Sequence, residues 1–147
     1  MISVKRIWII KQSGVCLMQH NFDPNFSSFI DENIIGGITA SLINSYSSMN
    51  IGDGDIESIS FGKSRLNYFY DDNLIVCMET THDIKEQAAK DVAKSIHKSF
   101  LFRFFSLLKS NRVIDTTIFA SFKDKLLEIL KYHRLVPKNP QKFLLEL

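Results

Sequence analysis

Ile7-Trp8-Ile9-Ile10-Lys11-Gln12-Ser13-Gly14-Val15-Cys16-Leu17-Met18 is the stretch that decides the fold. Two nearly continuous apolar runs flank the polar Gln12-Ser13-Gly14, the pattern of a β-hairpin. β-Branched and aromatic side chains fill the first run and suit a pleated, packed surface. A strand with one wet face alternates apolar and polar residues. A strand that does not alternate is covered on both faces. The hairpin therefore predicts a sheet with other structure on either side.

Downstream, residues 21–28 read as a loop around Pro24. Ser28-x-x-Asp31 then opens a helix, with Asp31 and Glu32 at the positive end of its dipole. Ile34, Ile35, Ile38, Leu42, Tyr46 and Met49 recur at three- and four-residue spacing as one apolar stripe. Gly36 and Gly37 each cost roughly 1 kcal/mol relative to Ala inside a helix. Close approach of the helix backbone to another element compensates that cost. Gly52-Asp53-Gly54 stops the helix. Residues 56–61, 65–70 and 74–78 follow as a meander of three strands. Gly62-Lys63-Ser64 and Asp71-Asp72-Asn73 are their turns. The last of the three is fully apolar and so belongs at the centre of the sheet.

Asp83-x-x-Glu86 marks the start of a second helix, with Ile84, Ala88, Val92, Ile96 and Phe100 as its buried stripe. Beyond Ser99 the stripe widens. Phe100, Leu101, Phe102, Phe104, Phe105, Leu107 and Leu108 surround the axis, which predicts a helix end buried on more than one side. A last helix from about Thr116 supplies one of those sides through Ile118, Phe119, Phe122, Leu126, Ile129 and Leu130. Pro137 ends it.

The expected fold is an α/β (α+β) three-layer sandwich. Its five-stranded antiparallel sheet follows the order β-β-α-β-β-β-α-α, with one helix on one face and two on the other. That order, and the opening hairpin from Ile7 to Leu17, resemble the longin domain and the adaptor small subunits. The resemblance spans residues 1–136 as a longin-like domain and leaves 137–147 as a short tail. The roadblock fold has similar layering but begins with a helix, which this chain does not. The resemblance implies a non-enzymatic interaction module of the membrane-traffic type, which dimerises with itself or another longin or roadblock-like domain, or binds a small GTPase. It also implies that the third strand lies at a sheet edge beside the first helix. Gly36, Gly37, Ile56, Ile59 and Phe61 are then the partner-binding candidates. Longin-type fusion proteins continue into a coiled-coil motif and a membrane anchor. Neither follows here, so a direct fusion role is not expected.

Composition agrees with a single cytoplasmic domain: 147 residues, 45% hydrophobic and 23% charged. No apolar run reaches the roughly 18–20 residues of a membrane span. The run at residues 7–10 is too short for a signal peptide. Cys16 and Cys77 make no disulfide framework. The sequon Asn25-Phe26-Ser27 has no secretory signal to make it meaningful. A net charge of +2 points to no nucleic-acid partner. Its distribution is uneven, however. Residues 12–62 contain no Lys or Arg, whereas basic residues predominate from Asp83 onward. Lys90, Lys94 and Lys98 repeat every four residues. They form a stripe suited to an acidic partner or to weak contact with an anionic membrane, at about 1 kcal/mol per charge. A solvated helix face is the plainer reading.

The sequence carries fragments of chemical motifs, each incomplete. Phe61-Gly62-Lys63-Ser64 has the end of a phosphate-binding loop but joins two strands, and Glu57 stands where its first Gly belongs. Asp53, Asp55 and Glu57 alternate like a calcium loop, but Ser58 and Ser64 occupy the positions of its Gly and its last Glu. Cys16 and His20, four apart on a strand, share a face, and Cys77 is a candidate neighbour. His82, His97 and His133 are scattered, and surface positions are expected for the histidines. No catalytic, cofactor or metal residue is therefore assigned. The alternative to an interaction module is a small-ligand or nucleotide-sensing domain of similar layering. It requires a concave pocket with converging polar groups.

Overall fold

The computed structural model describes residues 4–22, 39, 41–42, 58–110 and 116–135. Five strands form one antiparallel sheet: β1 (Val4–Lys11), β2 (Cys16–Asn21), β3 (Ser58–Phe61), β4 (Ser64–Tyr70) and β5 (Leu74–Thr81). Their order across the sheet is β2-β1-β5-β4-β3. The two runs without alternation, β1 and β5, lie side by side within it. Two α-helices follow, α1 (Glu86–Lys109) and α2 (Lys123–Tyr132), the latter preceded by a 3-10 helix, Thr116–Phe122.

Each face of the sheet has its own core. On the first face Ile7, Ile9, Val76 and Met78 pack with Val92, Ile96, Phe100 and Phe104 of α1. Phe119, Phe122 and Leu126 complete this layer. On the second face Trp8, Ile10, Cys16, Tyr68, Ile75 and Cys77 form a separate cluster. Most of the expected first helix lies outside the described residues. Thr39, Ser41 and Leu42 are described and helical. Thr39 is fully buried beside the Tyr68 hydroxyl, so it belongs to the second face. Leu42 departs from its expected buried stripe and is 43% exposed, which no described contact explains.

Local differences from the expected pattern have physical causes. In β2, Met18 pairs with Ile9 and Cys16 with Ile10, so Leu17 is the extra residue of a β-bulge. The bulge switches the alternation. Cys16 enters the second-face cluster while His20 lies opposite Ile7 on the first, with its ring 4.4 Å from that of Phe22. The two residues expected on one face therefore lie on opposite faces.

At the start of α1 Asp83 does not cap the helix. Lys85 occupies the N-cap with no side-chain hydrogen bond. Tertiary anchoring takes its place: Ile84 is buried, and its carbonyl accepts a hydrogen bond from the Arg65 guanidinium.

The aromatic end of α1 is divided rather than buried all round. Phe100 and Phe104 are in the core, whereas Phe102 is 91% and Phe105 49% exposed. Non-helical angles at Phe104 (φ −116°, ψ 17°) kink the helix there. The segment from Thr116 is 3-10 before it is α. In a 3-10 turn residues three apart eclipse. That aims both Phe119 and Phe122 at Phe100, with centroids 5.3 and 5.1 Å away. Ile118 then falls partly outside. α2 ends before Pro137 through a Schellman turn. Arg134 takes a left-handed φ of 59°, and Leu135 N–H donates to the Leu130 carbonyl at 2.9 Å.

Candidate interaction surface

β3 is one of the two edge strands of the sheet, with β2 at the other edge. Among the described residues its only strand neighbour is β4, paired from Ser58↔Asn67 to Phe61↔Ser64. Gly62, at φ +52°, makes the tight turn between them, where a side chain would be strained. Ile59 lies half-buried against the second-face cluster, and Ser60 is exposed. The backbone of Phe61 is in the strand. Gly36, Gly37 and Ile56 lie outside the described residues, as do Asp53, Asp55 and Glu57. An edge strand of this kind presents backbone N–H and C=O groups along one side, a template for pairing.

The lysine stripe is split. Lys94 and Lys98 are exposed, but Lys90 is half-buried beside a cavity of about 290 Å³ lined by Ser58, Asn67, Glu86, Gln87 and Lys90. Small-molecule pockets run to roughly 300–1,000 Å³ and are mostly apolar. This one is just below that range, and its described lining residues are all polar.

Three polar centres hold the sheet and helix in place, none of them singled out by sequence. On the second face Arg6 pairs across the strands with Glu79, Nη2 to Oε1 at 2.7 Å, with the guanidinium 4.7 Å above the Trp8 ring. Two opposite charges in the central strands were the available signal. On the first face Arg65 Nε donates to Asn67 Oδ1 at 2.8 Å, and Asn67 Nδ2 donates to Thr80 Oγ1 and the Met78 carbonyl at 3.0 Å each.

The third centre corrects a sequence expectation. His97 is buried rather than superficial, with Nε2 3.0 Å from Asp71 Oδ1 and its ring against Phe69. Asp71 Oδ1 also accepts from the backbone N–H of Asn73 and Leu74, at 2.8 and 3.1 Å. Burial alone would raise the Asp71 pKa. The two backbone donors, and then His97, outweigh it and hold the carboxyl below its ordinary value. A depressed carboxylate stabilises the fold fully above its unfolded pKa of about 4, and the contribution fades as pH falls through the folded value. Asp71→Asn is therefore expected to lower stability at about pH 6 and to converge on the wild type near about pH 2. Urea denaturation at both pH values checks this. A constant difference would show that the effect is not ionic.

Burial pushes both the Cys77 thiol and the Tyr68 phenol upward. A buried, protonated thiol is a poor nucleophile. Among the described residues no group of three His, Cys, Asp or Glu is placed to hold a metal ion, and no helix is long and apolar enough to cross a membrane.

The sequence matches no protein-family model and no curated protein. Structure is more informative. Myxococcus xanthus MglB superposes with a TM-score of 0.51 over 66% of this chain and 83% of its own, at 13% identity. MglB is a protein of the roadblock/longin type. The chain has a longin-like fold. At that identity the likeness speaks for architecture alone. The five-stranded antiparallel sheet and two following helices agree with the longin resemblance, and the order of strands places β3 at the edge that it implies.

Proposed function

We propose that this chain is a non-enzymatic, longin-like interaction module. It pairs with a second copy or another longin or roadblock-like domain, or binds a small GTPase, as a cytoplasmic scaffold of the membrane-traffic type. Residues 1–136 form the working unit and 137–147 its tail. The first helix expected around the buried Thr39 would supply the third layer, on the second face. The proposed binding residues are Gly36 and Gly37 of that helix, with Ile56, Ile59 and Phe61 in and beside the edge strand. The observation that carries the proposal is the position of β3 at the end of the sheet, with one described neighbour. An added strand gains main-chain hydrogen bonds there, and side-chain pockets select the partner.

Lysine on a sheet edge blocks strand pairing. Ser60 is exposed, so Ser60→Lys tests the edge without emptying the core. With Gly37→Leu, it is expected to weaken assembly by roughly tenfold, equivalent to about 1.4 kcal/mol. Light scattering across a concentration series, or titration with a co-purifying GTPase, reads this out. Circular dichroism confirms that the variants remain folded. Unchanged assembly by folded variants would exclude this surface.

A further inference from the structure

The outer face of α1 has an unusual composition. Lys94, Lys98, Phe102, Phe105 and Lys109 follow one another at three- and four-residue spacing, and all are exposed. They lie opposite the buried Val92, Ala93, Ile96, Phe100 and Phe104. Phe102 is 91% exposed on a helix whose other side already fills a core. Phe105 is 49% exposed, with Lys109 Nζ 5.5 Å from its ring centroid. Lys109 also donates to Asn73 Oδ1 at 2.8 Å, which fixes its stem beside the Phe105 ring.

Charge restricts the occupant. Between Asp91 and Asp115 the sequence has no acidic residue and five basic ones, Lys94, Lys98, Arg103, Lys109 and Arg112. Asp91 shares the outer face but sits a turn earlier, where Gln87 Nε2 donates to it at 2.9 Å. Among the described residues the nearby acids are Asp71 and Asp72 in the β4–β5 turn and Asp124 and Glu128 on α2. Asp71 is engaged with His97, and α2 flanks α1 along Ser95 and Ser99 rather than along the lysine–phenylalanine line.

Area restricts it further. A phenylalanine buries roughly 150–250 Å². Two therefore fall well short of the ~800 Å² per partner of a stable protein interface. Two rings among cations do match an interfacial helix, whose apolar residues enter the acyl boundary while lysines meet lipid phosphates.

We infer that the outer face of α1 docks on an anionic lipid bilayer, with Phe102 and Phe105 inserted and Lys94, Lys98 and Lys109 on the headgroups. This surface is separate from the β3 edge, so a module can lie on a membrane and keep its edge free for a partner.

The test is co-sedimentation with phosphatidylcholine vesicles, with and without phosphatidylserine, at low and raised salt. Inorganic phosphate is added as competitor to separate a lipid surface from a free phosphate. The full chain should bind only the serine-containing vesicles, lose binding as salt rises, and ignore phosphate. Phe102→Ser with Phe105→Ser, and separately Lys94→Glu with Lys98→Glu, should each weaken binding by at least roughly tenfold. Phe102→Trp should shift its indole emission to the blue on the same vesicles. Equal binding to both vesicle types, full-strength binding by either double variant, or no binding at low salt would overturn the inference. So would a fall in lipid-free assembly mass for the phenylalanine variant, because that result assigns the face to a protein partner.

Discussion

Glu79→Ala is expected to remove about 3–5 kcal/mol of stability, because it strips the carboxylate from a guanidinium that stays buried. Arg6 and Glu79 side chains are 4% and 1% exposed, in adjacent central strands. Typical domains have only about 5–15 kcal/mol in total, so this variant approaches the unfolded state. The pair itself is a weak source of stability, because both charges had to leave water. Arg6→Met combined with Glu79→Leu should therefore recover most of the loss, the residues being closer in volume and apolar. Urea denaturation of the two single variants and the double variant measures the coupling. A Glu79→Ala loss below about 1 kcal/mol would mean that water reaches the pair, against its burial here.

Phe100→Ala is expected to cost about 3–5 kcal/mol. Phe100 is fully buried and is the ring shared by Phe104, Phe119 and Phe122, with centroids 4.8, 5.3 and 5.1 Å away. Deleting it opens a cavity that α1, the 3-10 helix and the sheet would all have to close. Phe102→Ala, two residues on, should change stability by no more than about 0.5 kcal/mol, since its side chain is solvated. The contrast separates core from surface within one aromatic run. Similar losses for both would contradict the division of that run.

Much of the fold was legible because its strongest signals are local. The apolar runs announced β5 as a central strand and the opening hairpin as part of a covered sheet, and the short meander turns left few topologies open. The bulge at Leu17 was not legible. Alternation assumes an unbroken ladder, and nothing in Cys16-Leu17-Met18 announces an extra residue. The buried pairs were missed for another reason. Arg6, Glu79 and His97 look solvated by residue type, and only strand register or helix phase places a partner beside them. Position did offer a hint for His97, which falls four residues after the buried Ala93. The aromatic run of α1 misled because composition alone does not separate Phe100 from Phe102. Helical phase did, once the core side of α1 was fixed. At the interaction surface, the edge position of β3 came from the longin resemblance and agrees with the observed strand order. The identity of what binds there is a property of surface shape shared with a partner, which no single run of residues encodes.

Amide hydrogen exchange tests the proposed interaction module most directly, with the isolated chain compared with the complex purified from its native cell. Strand addition at the open edge predicts that amides in Ser58–Phe61 gain protection in the complex, while those of the central strand Leu74–Thr81 stay protected in both. Unchanged exchange at Ser58–Phe61 in a stable complex would contradict it, most clearly if the new protection appeared along Cys16–Asn21 at the opposite edge.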